Sequence, residues 1–204
     1  MKNKHQEDLS HIRAMMERSS RFISLSGLSG ILAGITALVG VAIGLYIFHL
    51  HGYAYNFSGR AVYSTKIVSQ LVVTAIIILL LSIFGGIYFT IRKSKKEDLP
   101  IWTNTTKQLL INLFVPLIAG GIFCCALLYH QLFIFITPAT LLFYGLALIN
   151  ASKYTYDEIY YLGIFEIILG LAAAFFLEKG LLFWAIGFGL LHILYGIKMY
   201  RKYN

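Results

Sequence analysis

Residues 159–198 read IYYLGIFEIILGLAAAFF, then LEKG, then LLFWAIGFGLLHILYGIK, two apolar runs separated by a short charged turn. Each run has the length, roughly 17–25 residues, at which an α-helix crosses the hydrocarbon core of a bilayer. A backbone inside lipid must satisfy its own N–H and C=O groups, so these runs predict an antiparallel pair of spanning helices. Glu166 stands alone in the first run and His192 alone in the second. Taking Lys179 as the centre of the turn, each lies thirteen residues away, which places both at one depth. A carboxyl group is costly inside a membrane, so Glu166 with His192 is the candidate site. Such a pair fits a proton relay, an anchor for an amphiphilic ligand, or part of a metal site. It equally fits a polar contact that only fixes helix register.

The rest of the chain has the same character. Of its 204 residues 58% are hydrophobic and 13% charged, and mean hydropathy is +0.74. A soluble domain holds about 45–50% apolar and about 25% charged residues, so the class is integral membrane protein. The net charge of +8 resides beside the apolar runs instead of on one basic face, which argues for topology and against nucleic acid as a partner. Cys124 and Cys125 are adjacent within an apolar run and suit packing better than a mutual disulfide.

Apolar runs place spans at 22–48, 67–91, 109–129, 132–150, 159–177 and 181–198. The fold class expected is therefore all-α, an integral membrane bundle of six transmembrane helices. Residues 1–21 form a cytoplasmic basic segment in which Leu9, Ile12 and Met16 recur at helical spacing among Arg13, Arg18 and Arg21, the pattern of an interfacial amphipathic helix. Lysines and arginines number fourteen on the side of the N-terminal tail, the 92–108 and 151–158 loops and the C-terminus, against Arg60, Lys66 and Lys179 on the other. This asymmetry predicts that both termini are cytoplasmic.

Ser26, Gly30 and Gly34 recur every four residues in the first span, followed by Gly40 and Gly44. Stripes of small residues let helix backbones approach, either within one bundle or along a homodimer seam. A shift of forty-nine residues aligns Gly121 with Gly170 and Leu141–Leu142 with Leu190–Leu191, making spans three–four and five–six candidate copies of one hairpin. His49 and His51, with His130 expected on the same side, fall short of a zinc ligand set and read as part of an interfacial aromatic belt. No nucleophile elbow, phosphate-binding loop or zinc-protease motif occurs, so no catalytic residue, metal or cofactor is assigned.

The segments RFISLSGLSGILAG (21–34), PATLLFYGLALINASKYT (138–155), YYLGIFEIILGLAAAFF (160–176) and GLLFWAIGFGLLHILYGI (180–197) resemble a family of uncharacterised small multi-pass bacterial inner-membrane proteins. Some members of that family are labelled beta-carotene 15,15′-monooxygenase. The resemblance implies the bacterial inner membrane, and it carries no catalytic motif onto a numbered residue. The reading favoured is a non-enzymatic accessory, sensory or structural membrane component, acting through lipid, a homo-oligomer or a membrane-protein partner. The alternatives are a proton-linked transporter or amphiphile-binding protein using Glu166 and His192, and an oxygenase acting on a carotenoid-like lipophilic substrate.

Overall fold

Six helices long and apolar enough to cross a membrane make up the computed structural model, which describes residues 21–52 and 64–203. Apart from Arg21, the amphipathic segment 1–21 lies outside the described residues. The helices are α1 (Gly27–Leu50), α2 (Thr65–Lys96), α3 (Asn104–Tyr129), α4 (Ile136–Ser152) and α5 (Asp157–Phe175). The sixth span, Leu177–Tyr203, is composite: a 3-10 turn (Leu177–Lys179), α6 (Gly180–Trp184), a π-helical segment (Ala185–Leu191) and α7 (His192–Tyr203). No strand occurs among the described residues, and the all-α bundle of six spans expected from the sequence is the architecture observed.

Helix ends depart from the apolar runs, and each departure has a local cause. The first span does not begin as helix at residue 22. Residues 22–26 are non-helical, with Ser26 extended, and α1 starts at Gly27 because the Ser26 hydroxyl accepts a bond from the Leu28 N–H. α2 runs on through four cations to Lys96, so Arg92, Lys93, Lys95 and Lys96 belong to its last turns and not to a loop. Their charge opposes the partial negative charge of the helix C-terminus. α3 starts at Asn104, before its apolar run, because Thr103 and Thr106 form a reciprocal capping box.

Asp98 (φ 52°) and Gln131 (φ 60°) turn the chain left-handed just past α2 and α3. There Leu99 N–H bonds to Ser94 O at 2.9 Å and Leu132 N–H to Leu127 O at 2.8 Å, which closes both helix ends.

Packing runs from α2 to α1, from α1 to the sixth span, and from there to α5, α4 and α3. Thr36 and Ser82 share a 2.8 Å hydrogen bond between α1 and α2. Gly145 and Gly163 make a reciprocal crossing of α4 and α5: a Cβ on Gly145 would lie 2.7 Å from Gly163 O, and one on Gly163 would lie 2.8 Å from Gly145 O. Bare backbone at both positions is what permits that approach. Only 11% and 6% of the most apolar stretches of α2 and α3 are buried, so their outer faces suit lipid.

The hairpin repeat finds no support in these surroundings. Gly170 packs on Leu141 and Leu142, whereas Gly121 has nothing within 4 Å of a Cβ position.

Candidate functional site

Glu166 and His192 do meet. Glu166 lies on α5 with none of its surface exposed, and His192 opens α7 at 6% exposure. Their Oε1 and Nδ1 atoms are 3.5 Å apart, as the equal spacing from Lys179 predicts.

The chemistry at this junction is set by two further residues. His192 Nδ1 lies 2.9 Å from the carbonyl oxygen of Gly187, and Nε2 lies 2.8 Å from the hydroxyl of Tyr144 on α4. A carbonyl only accepts, so Nδ1 carries the hydrogen; in the neutral ring Nε2 then accepts from Tyr144 O–H. The imidazole is thus held at both nitrogens by groups other than Glu166. Both Glu166 carboxyl oxygens are buried with no hydrogen-bond partner among the described residues. Satisfaction of buried polar groups is the rule, so an orphaned carboxyl marks stored cost or function.

Local structure explains the arrangement. The π segment widens the helix just before His192 and places the Gly187 carbonyl five residues back, within reach of the ring. Such π turns are uncommon and gather at functional positions. Gly187 also makes room for the carboxyl, since a Cβ there would sit 2.5 Å from Glu166 Oε2. On the other side Phe188 stacks near both rings, its centroid 5.0 Å from Tyr144 and 5.9 Å from His192.

The small-residue stripe of α1 supports the same place. Cβ positions on Gly30 would lie 3.2 Å from His192 O, and on Gly34 2.6 Å from Gly189 O. Gly40 faces Ile78 of α2, and Gly44 lies against Leu71 and Leu181. Ser26 acts as the cap of α1. Within this chain the stripe is therefore an internal seam, filled by the sixth span and α2.

A second polar cluster joins four segments at one end of the bundle, where both ends of the described chain lie. Lys93 Nζ donates to Tyr203 O (2.9 Å), Tyr156 Oη (3.3 Å) and Leu25 O (3.4 Å). The strap 22–26 is laced to the α4–α5 connection: Phe22 N–H donates to Tyr154 O (2.7 Å), Thr155 Oγ1 to Phe22 O (2.8 Å), and the Tyr156 hydroxyl to Ile23 O. Arg21 pairs with Asp157 at 3.0 Å, and Glu158 receives Lys202 (2.8 Å) and the Tyr203 hydroxyl (3.0 Å). Burial, with a smaller contribution from the Glu97 carboxylate, pushes the Tyr156 phenol above its ordinary value.

Sequence reasoning did not single out Tyr144, Gly187 or Lys93. A tyrosine in mid-span, away from any interfacial belt, was a readable signal for Tyr144. The Gly187 contact depends on a π turn, which periodicity does not reveal. Lys93 is one of five cations in the stretch 92–108, with nothing local to mark it for burial.

The described histidines do not converge on one place. His49 and His51 end α1 and His130 caps α3, whereas His192 lies in mid-span. Among the described residues no three His, Cys, Asp or Glu side chains converge as metal ligands. Compared with family models, with curated proteins and with solved structures, the chain matches none.

Proposed function

We propose that this chain is a non-enzymatic sensory or accessory protein of the bacterial inner membrane, with both termini cytoplasmic and the Tyr144–His192–Glu166 cluster as its proton-responsive element. One observation carries the reading: a fully buried carboxyl with both oxygens unpartnered, 3.5 Å from an imidazole. A proton arriving at or leaving Glu166 changes the charge of the bundle interior without breaking a hydrogen bond first. The π segment is the element such a change would act on, because Gly187 touches both the carboxyl and the ring. The lysine and arginine distribution supports the orientation, and the family resemblance supports the inner membrane.

The test is infrared difference spectroscopy on the full chain in lipid nanodiscs, stepped between pH 5 and pH 9. A carboxyl C=O band that changes with pH and disappears in Glu166→Gln is expected, together with altered amide exchange in residues 185–191. No Glu166 band anywhere in that interval would leave the cluster a structural contact and overturn the proposal. Proton flux in proteoliposomes that Glu166→Gln abolishes would replace sensing by transport.

A further inference from the structure

At the polar end of the bundle a groove of about 150 Å³ opens between the start of α1, the last turns of α2 and α7. Its volume equals several waters at about 30 Å³ each. Its walls divide by character. Leu28, Phe89 and Tyr200 form an apolar side, and Arg92 and Lys96 stand over it, one helical turn apart on α2. Both cations are exposed, and neither makes an ion pair or hydrogen bond among the described residues. Lys93 also lines the groove, but its hydrogens are committed to Leu25, Tyr156 and Tyr203, so it adds charge without adding a free donor. The one carboxylate present, Glu97, lies 3.9 Å from Lys93. Two uncommitted cations above an apolar wall match a phosphate that is joined to something greasy. The placement agrees: Phe89 lies one helical turn nearer the span than Arg92 and Lys93, on the same face of α2.

We infer that this groove binds the phosphate of an anionic phospholipid, with Arg92 and Lys96 on the phosphate and Leu28 and Phe89 against the glycerol and upper acyl chain. Basic recesses between spanning helices at the aqueous border are the usual geometry for such headgroups. The same phosphate chemistry occurs in free inorganic phosphate, which would use the cations and leave the apolar wall uncovered. This site is separate from the Glu166 cluster and stands or falls independently of it.

The full chain, stripped of lipid in a neutral detergent, is titrated separately with phosphatidylglycerol, phosphatidylcholine and inorganic phosphate, and read by native mass spectrometry. One phosphatidylglycerol is expected to be retained per chain, at least tenfold more tightly than phosphatidylcholine. Arg92→Gln with Lys96→Gln is expected to weaken it about 25-fold, on the order of fivefold per basic side chain. Lys95→Gln with Lys107→Gln removes the same charge outside the groove and is expected to change affinity less than twofold. The charge-keeping variant Arg92→Lys retains binding and guards against a folding defect in the double variant. Equal weakening by the two double variants would overturn the site in favour of diffuse surface charge. Phosphatidylcholine retained as well as phosphatidylglycerol would overturn the role of the cations. Retention of inorganic phosphate without phosphatidylglycerol would overturn the lipid assignment.

Discussion

His192 gives its Nδ1–H to the carbonyl of Gly187, 2.9 Å away on its own helix, and not to the neighbouring carboxyl of Glu166. This bond fixes the tautomer of a histidine in the middle of the bundle and leaves Nε2 to Tyr144. Imidazole nitrogen shifts from selectively labelled protein should show Nδ1 protonated and Nε2 as the acceptor. Tyr144→Phe removes the donor to Nε2, is expected to cost about 1 kcal/mol of stability, and should move the Nε2 resonance. An unmoved resonance would mean that the hydroxyl is not bonded there.

Gly187 is where side-chain volume and site chemistry collide. Its Cβ would lie 2.5 Å from Glu166 Oε2 and 2.7 Å from Leu141 Cδ2. Gly187→Ala should therefore destabilise by about 1–3 kcal/mol. In a Glu166→Ala background the penalty should shrink, leaving the part due to Leu141. Chemical unfolding of the four proteins gives the coupling directly.

Glycines of the bundle separate into two groups with opposite expected behaviour. Gly145→Ala and Gly163→Ala each drive a methyl into the facing backbone, at 2.7 Å and 2.8 Å from the opposing carbonyl. Each is expected to lose about 1–3 kcal/mol. Gly86→Ala and Gly121→Ala meet nothing within 4 Å, so each is expected to be neutral or to gain up to about 1 kcal/mol from helix propensity. Equal effects in both groups would show that the α4–α5 crossing is looser than described.

Lys93→Met keeps the length of the side chain and removes three hydrogen bonds from the strap, the α4–α5 connection and the chain's end. Faster amide exchange at Phe22 and Ile23, with slower change in mid-span helices, is the expected signature. Tyr156 adds a pH dependence to the same junction. Its phenol is held neutral by burial, and its folded value lies above the unfolded one of about 10. The stabilisation is full below that pH and is lost as pH rises through the folded value. Tyr156→Phe should accordingly be less stable near neutrality and show a shallower decline above about pH 10, as followed by the thermal midpoint.

The bundle was legible because a membrane leaves the backbone few choices. Six apolar runs become six helices, and equal spacing from Lys179 sufficed to bring Glu166 to His192. Helix ends were less legible where hydropathy and capping disagree. Ser26 and Thr103 place helix starts by their hydroxyls, and the four cations after Ile91 prolong α2 past the end of its apolar run. Tyr144 reaches His192 through the mutual placement of α4 and the sixth span, which no single segment encodes. The π segment escaped altogether, since it changes the register of Gly187 against His192 without altering composition. The choice between an internal seam and a dimer seam for Gly30 and Gly34 likewise required the tertiary arrangement.

The Lys93 junction also has an order in time. Its acceptor on Tyr203 lies 110 residues further along the chain than Lys93 itself. A ribosome feeding this chain into a membrane delivers α2 long before that carbonyl exists. Until then the ammonium has only the oxygens of Leu25 and Tyr156 as partners, and its shortest bond, to the last helix, is still missing. Closure of the junction thus reports that all six spans have been inserted and threaded back to the starting side. A chain truncated within the sixth span would keep its apolar helices and still lack that final clasp.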